Sequence, residues 1–228
     1  MAEVVVVRHG QAAFGTDDYD RLTDLGWQQA RLLGEHFAAA EQYFDAVYTG
    51  TLRRHRETLA GIREGASEAR IAGPDAIELP GLNEYDSDIL LERYIALSGD
   101  MLDGEAIDLS NSRTFYRLLR SALLAWSRNE LSDVTESWGD FEQRVGATLA
   151  TLSAEKGRVL VVTSGGPVSA MLREVLSLDV ETMVNTNLQA KNTGVTRYFS
   201  RGMNFSLNMF NALPHLESAA HSHLITYT

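Results

Sequence analysis

Three short stretches of this chain bring together residue types that bind anions. Residues 4–11 read VVVVRHGQ, residues 51–58 read TLRRHRET, and residues 160–167 read LVVTSGGP. Arginine guanidinium groups and the backbone N–H groups of a glycine-rich turn at a helix start both favour a bound anion such as phosphate. A neutral imidazole beside them can attack phosphorus and hold the phosphoryl group. We therefore predict that the three stretches meet at one local phosphate pocket.

The pattern of apolar residues predicts the elements that position these stretches. The valine run is typical of a strand buried on both faces, and residues 44–49 and 158–163 read as further strands. Helices are predicted over residues 24–40, over residues 51–63 and after the Ser-Gly-Gly turn. Alternating strands and helices indicate an α/β fold with helices on both faces of the sheet. In such sheets ligands bind at the carboxyl ends of the strands, where all three stretches lie.

The rest of the chain is predicted to add helices first and strands last. Residues 85–137 read as a mainly helical insertion without a clear strand, and a long helix is predicted over residues 140–155. After residue 195, the pieces VTRYFS, FSLNMF and LITYT favour edge or antiparallel strands. Pairing at such an edge could form a homodimer. No linker or repeat interrupts the pattern, so we interpret residues 1–228 as a single domain.

The composition narrows the classes of function. The chain has 228 residues, 44 % of them hydrophobic, no cysteine, and a net charge of −11. An acidic chain lacks the basic face that nucleic-acid binding uses, and no apolar run approaches the roughly 20 residues that span a bilayer. Without cysteine, disulfides, thiolate nucleophiles and cysteine metal sites are excluded. No secretory signal is recognised, so we expect a cytoplasmic protein that binds neither nucleic acid nor membrane.

Five blocks, in order along the chain, resemble the histidine phosphatase superfamily, the phosphoglycerate mutase-like proteins. After the Arg-His-Gly-Gln end of the first strand come LTDLGWQQARLLG, VYTGTLRRHRET, LPGLNEYD and RVLVVTSGG, which begin at residues 22, 47, 79 and 158. The resemblance implies a three-layer α/β/α fold with a mostly parallel sheet and a helical insertion over the active site. It also implies a metal-independent, cofactor-free phosphatase that hydrolyses a small phosphorylated substrate through phosphohistidine.

The resemblance assigns roles residue by residue. It implies that His9 is the nucleophile and that Glu84 is the general acid, which protonates the leaving oxygen and later helps water to attack. It implies that the phosphate-binding residues are Arg8, Gln11, Arg54, Ser164 and Gly165, and that Gly10 lines the pocket and leaves room for the ligand. Arg54, and not Arg53, holds the motif position two residues after Leu52.

One position departs from the family pattern. The family usually carries a second histidine after the last parallel strand, and this sequence has Ser164 there. Serine can donate a hydrogen bond but cannot be cationic. Three explanations stay open: Ser164 and the glycine amides suffice, another group such as His55 replaces the histidine, or the pocket binds phosphate without useful turnover.

Three functions compete on this reading. A phosphatase acting through phosphohistidine leads, because the nucleophile, the arginines and the acid are all present. A phosphoglycerate-type mutase ranks lower, because the segment between Tyr85 and Ser137 does not obviously supply extra basic residues for a carboxylate. A degenerate phosphate-binding protein is the third, motivated by Ser164 and opposed by the presence of His9 and Glu84. The sequence does not identify the substrate. It leaves five aromatic residues open as the lining of an apolar pocket or as core: Tyr85, Tyr94, Phe115, Tyr116 and Trp126.

Overall fold

A mixed six-stranded sheet forms the centre of the protein. In the computed structural model, the strands of this sheet are β1 (Ala2–Arg8), β2 (Ala46–Thr49), β3 (Ile77–Glu78), β6 (Gly157–Thr163), β7 (Val195–Arg201) and β8 (Asn204–Ala212). Their spatial order is β3-β2-β6-β1-β7-β8. Neighbours from β3 to β1 are parallel, and β7 and β8 are antiparallel. The structure describes residues 1–13, 19–67, 73–99, 101–102, 105–106 and 111–227.

The valine run forms the central strand because both faces of the sheet are covered. Val4 and Val6 pack into one hydrophobic cluster, and Val5 and Val7 pack into another on the opposite face. Successive side chains of a strand point to opposite faces, so an unbroken apolar run is what a doubly covered strand requires. β1 pairs with β6 in parallel, with Arg8 opposite Thr163. This register brings the carboxyl ends of the two strands side by side.

Seven helices in the described residues cover the two faces of the sheet. One face carries α1 (Asp24–Ala39) and α2 (Arg53–Ala66), whose apolar side chains pack against Val5 and Val7. Helices on the other face contribute to the cluster around Val4 and Val6. They are α3 (Ser87–Ser98), α4 (Ser112–Ser127), α5 (Trp138–Ser153), α6 (Gly165–Leu176) and α7 (Val180–Asn187). The predicted α/β fold with helices on both faces is confirmed.

Two details of the prediction are wrong. The insertion contains a two-stranded antiparallel ladder of β4 (Met101–Leu102) and β5 (Glu105–Ala106), although no strand was expected there. The tail piece LITYT does not form a strand over its described residues. A short 3-10 helix (Ser222–Leu224) ends at its first residue, and the backbone after this helix forms a hydrogen bond with a loop near the site. VTRYFS and FSLNMF do form the antiparallel edge, as β7 and β8.

Parts of two predicted segments lie outside the described residues. They are residues 14–18 of the polar turn after the first strand, and residues 100, 103–104 and 107–110 of the insertion. Among the described residues, no helix combines the length and the apolar character that crossing a membrane requires.

Candidate active site

His9 lies directly after β1, buried at the carboxyl edge of the sheet. Its backbone N–H donates to the Thr163 carbonyl at 2.8 Å, and its side chain is only 2 % exposed. The ring Nδ1 lies 2.7 Å from the Gly10 carbonyl oxygen. Because a carbonyl only accepts hydrogen bonds, Nδ1 must carry the proton. A neutral His9 therefore presents the lone pair of Nε2, which is the form of imidazole that attacks phosphorus.

The surroundings keep His9 neutral. Burial lowers its pKa well below the ordinary value of 6.5, and the positive charges of Arg54 and Arg8 lower the pKa further. Desolvation and neighbouring cations both disfavour the imidazolium form. The His9 imidazole thus stays unprotonated in moderately acidic solution.

Two arginines flank His9, and each is held by oxygen acceptors at its far end. Arg8 donates through Nη1 to the carbonyl oxygens of Ala190 and Tyr227, the second at 2.8 Å. Arg54, 6 % exposed at the start of α2, donates through Nη1 to Asp20 Oδ1 at 2.7 Å. The Nε atoms of both arginines are buried and have no hydrogen-bond partner within the described part of the chain. Buried donors of this kind suit the oxygens of a bound phosphoryl group.

The other two arginines of the RRHR segment face away from His9. Arg53 pairs with Glu57 at 2.6 Å, and Arg56 pairs with Glu78 at 2.6 Å, both on the exposed side of α2. Helical spacing separates them from Arg54, since neighbouring residues of a helix point in different directions.

Glu84 lies in the loop after a short 3-10 helix (Pro80–Leu82) and faces the first turn of α6. Its carboxylate oxygens accept from the Gly166 N–H at 3.1 and 3.2 Å. Thr163 Oγ1 donates to the Leu82 carbonyl at 2.6 Å, which ties this loop to the end of β6. Burial raises the pKa of Glu84, and the Gly166 N–H and the two arginines oppose that rise. A carboxyl group with a raised pKa is suited to donate a proton.

Ser164 contacts a histidine from another element. It follows β6 directly, one step beyond the Arg8–Thr163 register pair, and it is fully buried. Its Oγ lies 2.7 Å from His55 Nε2 in the first turn of α2. The His55 ring centroid lies 5.8 Å from that of His9. The helical geometry therefore turns His55 toward the site, which the sequence left open.

The predicted pocket glycines and Gln11 have mixed surroundings. A Cβ at Gly10 would lie 2.5 Å from the Gly26 carbonyl oxygen, so Gly10 allows the loop after β1 to pass close to the start of α1. A Cβ at Gly165 would lie 2.7 Å from Asn187 Oδ1 and 3.6 Å from Arg8 Nε, so Gly165 borders the pocket. The Gln11 side-chain oxygen accepts from the Thr23 hydroxyl at 2.9 Å.

Thr58 is a positioning residue that sequence reasoning missed. Its hydroxyl donates to the Arg54 carbonyl at 2.7 Å and accepts from the Gly10 N–H at 3.0 Å, so it joins α2 to the loop that carries His9. Two signals were available: Thr58 ends the block VYTGTLRRHRET that resembles the superfamily, and it lies four residues after Arg54 on the same helix face.

Replacing Thr58 by the isosteric valine should cost stability. Thr58→Val leaves the buried Gly10 N–H without its acceptor, which lowers the free energy of unfolding by about 1–3 kcal/mol. Thr151→Val is the matched control, because Thr151 also donates to a carbonyl four residues back but is exposed and accepts no backbone N–H. Urea unfolding of both variants measures the effect. Equal losses in the two variants would contradict this role of Thr58.

An aromatic pocket opens beside Arg8 and Glu84. Five of its eleven lining residues are aromatic, with Leu119, Leu188, Ser87 and Asn187 between them. The aromatic residues are Tyr19, Tyr85, Phe115, Tyr116 and Tyr227. Arg8 is the one cationic side chain that lines it among the described residues. Of the aromatic residues that the sequence left open as pocket or core, Tyr85, Phe115 and Tyr116 line the pocket, and Trp126 lies in the core.

The C-terminal segment also reaches the site, which no local pattern signalled. Tyr227 accepts from Arg8, the Thr226 carbonyl accepts from the Asn192 N–H at 3.0 Å, and Asn187 donates to the Tyr85 hydroxyl at 2.7 Å. These contacts join residues more than 30 positions apart. No group of three or more His, Asp or Glu side chains in the described ranges forms a metal-ion site.

Comparison with known proteins identifies the family. The sequence profile of the histidine phosphatase superfamily (branch 1) matches residues 4–93 and 108–212. The chain belongs to the histidine phosphatase superfamily. The matched residues include His9, both arginines, Glu84 and Ser164, whereas Tyr227 lies after the matched range.

Solved structures similar to this histidine phosphatase superfamily member confirm the fold. A phosphoserine phosphatase from Entamoeba histolytica in complex with 3-phosphoglyceric acid is 19 % identical, over 95 % of this chain and 100 % of that one, with a TM-score of 0.63. A phosphoglycerate mutase from Bacillus anthracis is 18 % identical, over 94 % of both chains, with a TM-score of 0.66. A mycobacterial glucosyl-3-phosphoglycerate phosphatase is 19 % identical, over 92 % and 98 %, with a TM-score of 0.62. Superfamily membership supports a phosphatase-type activity, and these neighbours show the fold.

Proposed function

We propose that this protein hydrolyses phosphomonoesters through a phosphohistidine at His9, and that the alcohol part of its substrate is aromatic or apolar and uncharged. The observation that carries the first part is the neutral, buried imidazole with Nε2 unprotonated, set between two arginines whose Nε atoms have no protein partner in the described residues. The observation that carries the second part is the aromatic pocket next to Glu84.

The proposed reaction has two steps. In the first, the lone pair of His9 Nε2 forms a bond to phosphorus, the bond from phosphorus to the leaving oxygen breaks, and Glu84 gives its proton to that oxygen. In the second, the Glu84 carboxylate takes a proton from water, the water oxygen bonds to phosphorus, and the P–N bond breaks to release phosphate. Arg8 and Arg54 offset the charge on the non-bridging oxygens in both steps, which is where phosphoryl transfer is mostly stabilised.

The pocket favours an uncharged alcohol over a carboxylate-bearing one. Phosphoserine and 3-phosphoglycerate carry a carboxylate that a second cation would have to balance. The described lining supplies only Arg8, which already faces the phosphoryl group, and residues 14–18 and 100–110 contain no lysine or arginine. An aromatic ring can instead pack edge-to-face against Phe115 and Tyr116. The substrate of a phosphoglycerate mutase also carries a carboxylate. The same lack of a second cation therefore favours hydrolysis over the mutase reaction as the function.

A matched set of alkyl phosphates tests this proposal. We expect 2-phenylethyl phosphate to be hydrolysed with a kcat/KM at least about tenfold above that of phosphoserine or 3-phosphoglycerate, because burial of the ring adds about 1.5–3 kcal/mol of binding. All three leaving groups are alkoxides, so leaving-group acidity does not decide the ranking. The assay measures free phosphate in metal-free buffer.

Pocket variants provide the control. Phe115→Ala should lower kcat/KM for 2-phenylethyl phosphate by about tenfold and leave that for methyl phosphate within about twofold. Phe199→Ala, on the exposed side of β7, should change neither. Preference for the carboxylate substrates would overturn the substrate class. Transfer of the phosphoryl group between positions of phosphoglycerate would favour the mutase, and phosphate binding without turnover of any ester would favour the binding protein.

A further inference from the structure

His55 is a buried titratable group that the two-step reaction leaves without a role. It is 0 % exposed, and its Nε2 lies 2.7 Å from Ser164 Oγ. Ser164 stands where the superfamily usually has its second histidine. The β1–β6 register puts Ser164 beside His9, with Arg8 opposite Thr163 one step earlier. A histidine side chain therefore contacts the serine, but this histidine belongs to α2 and does not follow β6.

The surroundings of the ring decide which nitrogen of His55 carries the proton. Burial, Arg54 and Arg56 lower its pKa well below the ordinary value, so the ring is neutral and has one N–H. Nδ1 is buried without a hydrogen-bond partner in the described residues and faces the Cα of Gly50, where an added Cβ would clash with it. An N–H group at Nδ1 would be buried without an acceptor. This costs more free energy than placing the lone pair of Nδ1 against a C–H group. The proton therefore lies on Nε2, which donates to Ser164 Oγ.

This hydrogen bond determines what the serine can do. Ser164 is the residue before α6, but its side chain makes no capping bond to that helix. When Oγ accepts from His55, the hydroxyl proton of Ser164 is left for another acceptor. The β1–β6 register sets Ser164 next to His9, and the His9 and His55 ring centroids lie 5.8 Å apart, so a phosphoryl group at His9 would offer that acceptor. Donation from an already hydrogen-bonded hydroxyl is strengthened, because such bonds polarise one another in a buried site.

We propose that His55 is a positioning residue that holds Ser164 Oγ as a hydrogen-bond donor to the phosphoryl oxygens, so that the Ser164–His55 pair replaces the superfamily's second histidine with an uncharged donor. The kinetic part of this proposal rests on the proposed phosphatase function. The structural part, the direction of the hydrogen bond, does not. Ser164 would touch the substrate, and His55 would act only through Ser164.

The first test measures the resting protein and does not depend on turnover. Long-range nitrogen–proton NMR of the nitrogen-labelled chain should show His55 as the neutral Nε2–H tautomer, with its signals assigned by their loss in His55→Gln. Inorganic phosphate should bind about tenfold more weakly to Ser164→Ala and to His55→Leu than to wild type, as expected for one lost donor. A charged His55 or an Nδ1–H tautomer would overturn the proposal whether or not the protein is an enzyme.

The second test is a double-substitution cycle on 2-phenylethyl phosphate. Ser164→Ala and His55→Leu should each lower kcat by about tenfold to a hundredfold and raise KM by no more than about tenfold, as for removal of one oxyanion donor. The double variant should be no slower than the slower single variant, because the pair acts as one unit. His55→Gln should recover most of the rate, since its amide nitrogen can also donate to Oγ. His223→Leu, an exposed histidine in the tail, is the matched control.

The outcomes separate this inference from the phosphatase function. If His55→Leu folds, as judged by thermal unfolding, and keeps wild-type kcat while His9→Ala is inactive, the enzyme stands and the pairing is overturned. Multiplicative losses in the double variant would also overturn it, since they would show independent roles. If wild type binds phosphate with the expected tautomer and hydrolyses no ester, the pairing stands and the phosphatase proposal fails.

Discussion

Rapid quenching of the wild-type chain during turnover of a radiolabelled phosphate ester is expected to trap a protein-bound phosphoryl group that is stable to alkali and labile to acid, as a phosphoramidate is. Peptide mapping should place the label on His9. The reason is the tautomer set by the Gly10 carbonyl, which leaves Nε2 as the free nucleophile of the site. His9→Ala should form no label and should lose roughly 10⁴-fold or more in kcat, the scale seen when a covalent nucleophile is removed.

A binding measurement distinguishes lost chemistry from lost structure in His9→Ala. Arg8 and Arg54 keep their backbone and Asp20 partners in that variant, so inorganic phosphate should still bind within about tenfold of wild type. His223→Ala, on the exposed tail, should be labelled like wild type. An alkali-labile label would point to a serine ester, with Ser164 as the nearest candidate, and would contradict the role of His9.

The residues that chemistry needs could be found in the sequence because they follow strands with unmistakable apolar patterns. Val4 to Val7 alternate between two cores, so their strand is central, and its carboxyl end must carry Arg8 and His9. Arg54 could be separated from Arg53 by its place in the motif, and the structure points the two in different directions. Periodicity and one rule of sheet topology therefore place Arg8 and His9, whereas the choice of Arg54 rests on the resemblance to the superfamily motif.

What the sequence did not reveal depends on contacts across long separations. The His55–Ser164 bond joins residues 109 positions apart, and the Arg8–Tyr227 bond joins residues 219 apart. No periodicity encodes such a pair, since each partner sits in its own locally consistent element. Gly10 shows the same limit: a glycine signals a close approach, but one approaching group, here Gly26, is known only from the packed helix.

Glu84→Gln should affect substrates according to how much their leaving oxygen needs a proton. For 2-phenylethyl phosphate, the alkoxide is a poor leaving group, and loss of the general acid should lower kcat/KM by about 10²–10⁴-fold. For p-nitrophenyl phosphate, the leaving phenolate needs little protonation, so kcat/KM should fall by less than about tenfold. Glu174→Gln, an exposed carboxylate on α6, is the control and should leave both substrates unaffected. Equal losses on both substrates would exclude proton donation as the role of Glu84.

The pH dependence of kcat/KM for the wild-type protein and for Glu84→Gln tests the pKa shifts of Glu84 and His9 together. Burial raises the pKa of Glu84, so its acid form persists above the ordinary carboxyl range and the rate falls as pH rises through that raised value. The pKa of His9 lies well below 6.5, so the nucleophile is protonated, and the rate lost, only in stronger acid. Activity toward alkyl phosphates should therefore peak on the acid side. The ratio of wild-type to Glu84→Gln kcat/KM cancels the ionisation of the substrate, and this ratio should decline with rising pH, because only wild type loses a proton donor. A flat ratio would mean that Glu84 does not have the protonation state that the mechanism requires. In the wild-type profile, an acid limb clearly above the substrate's own second ionisation, which lies at about pH 6, would mean the same of His9.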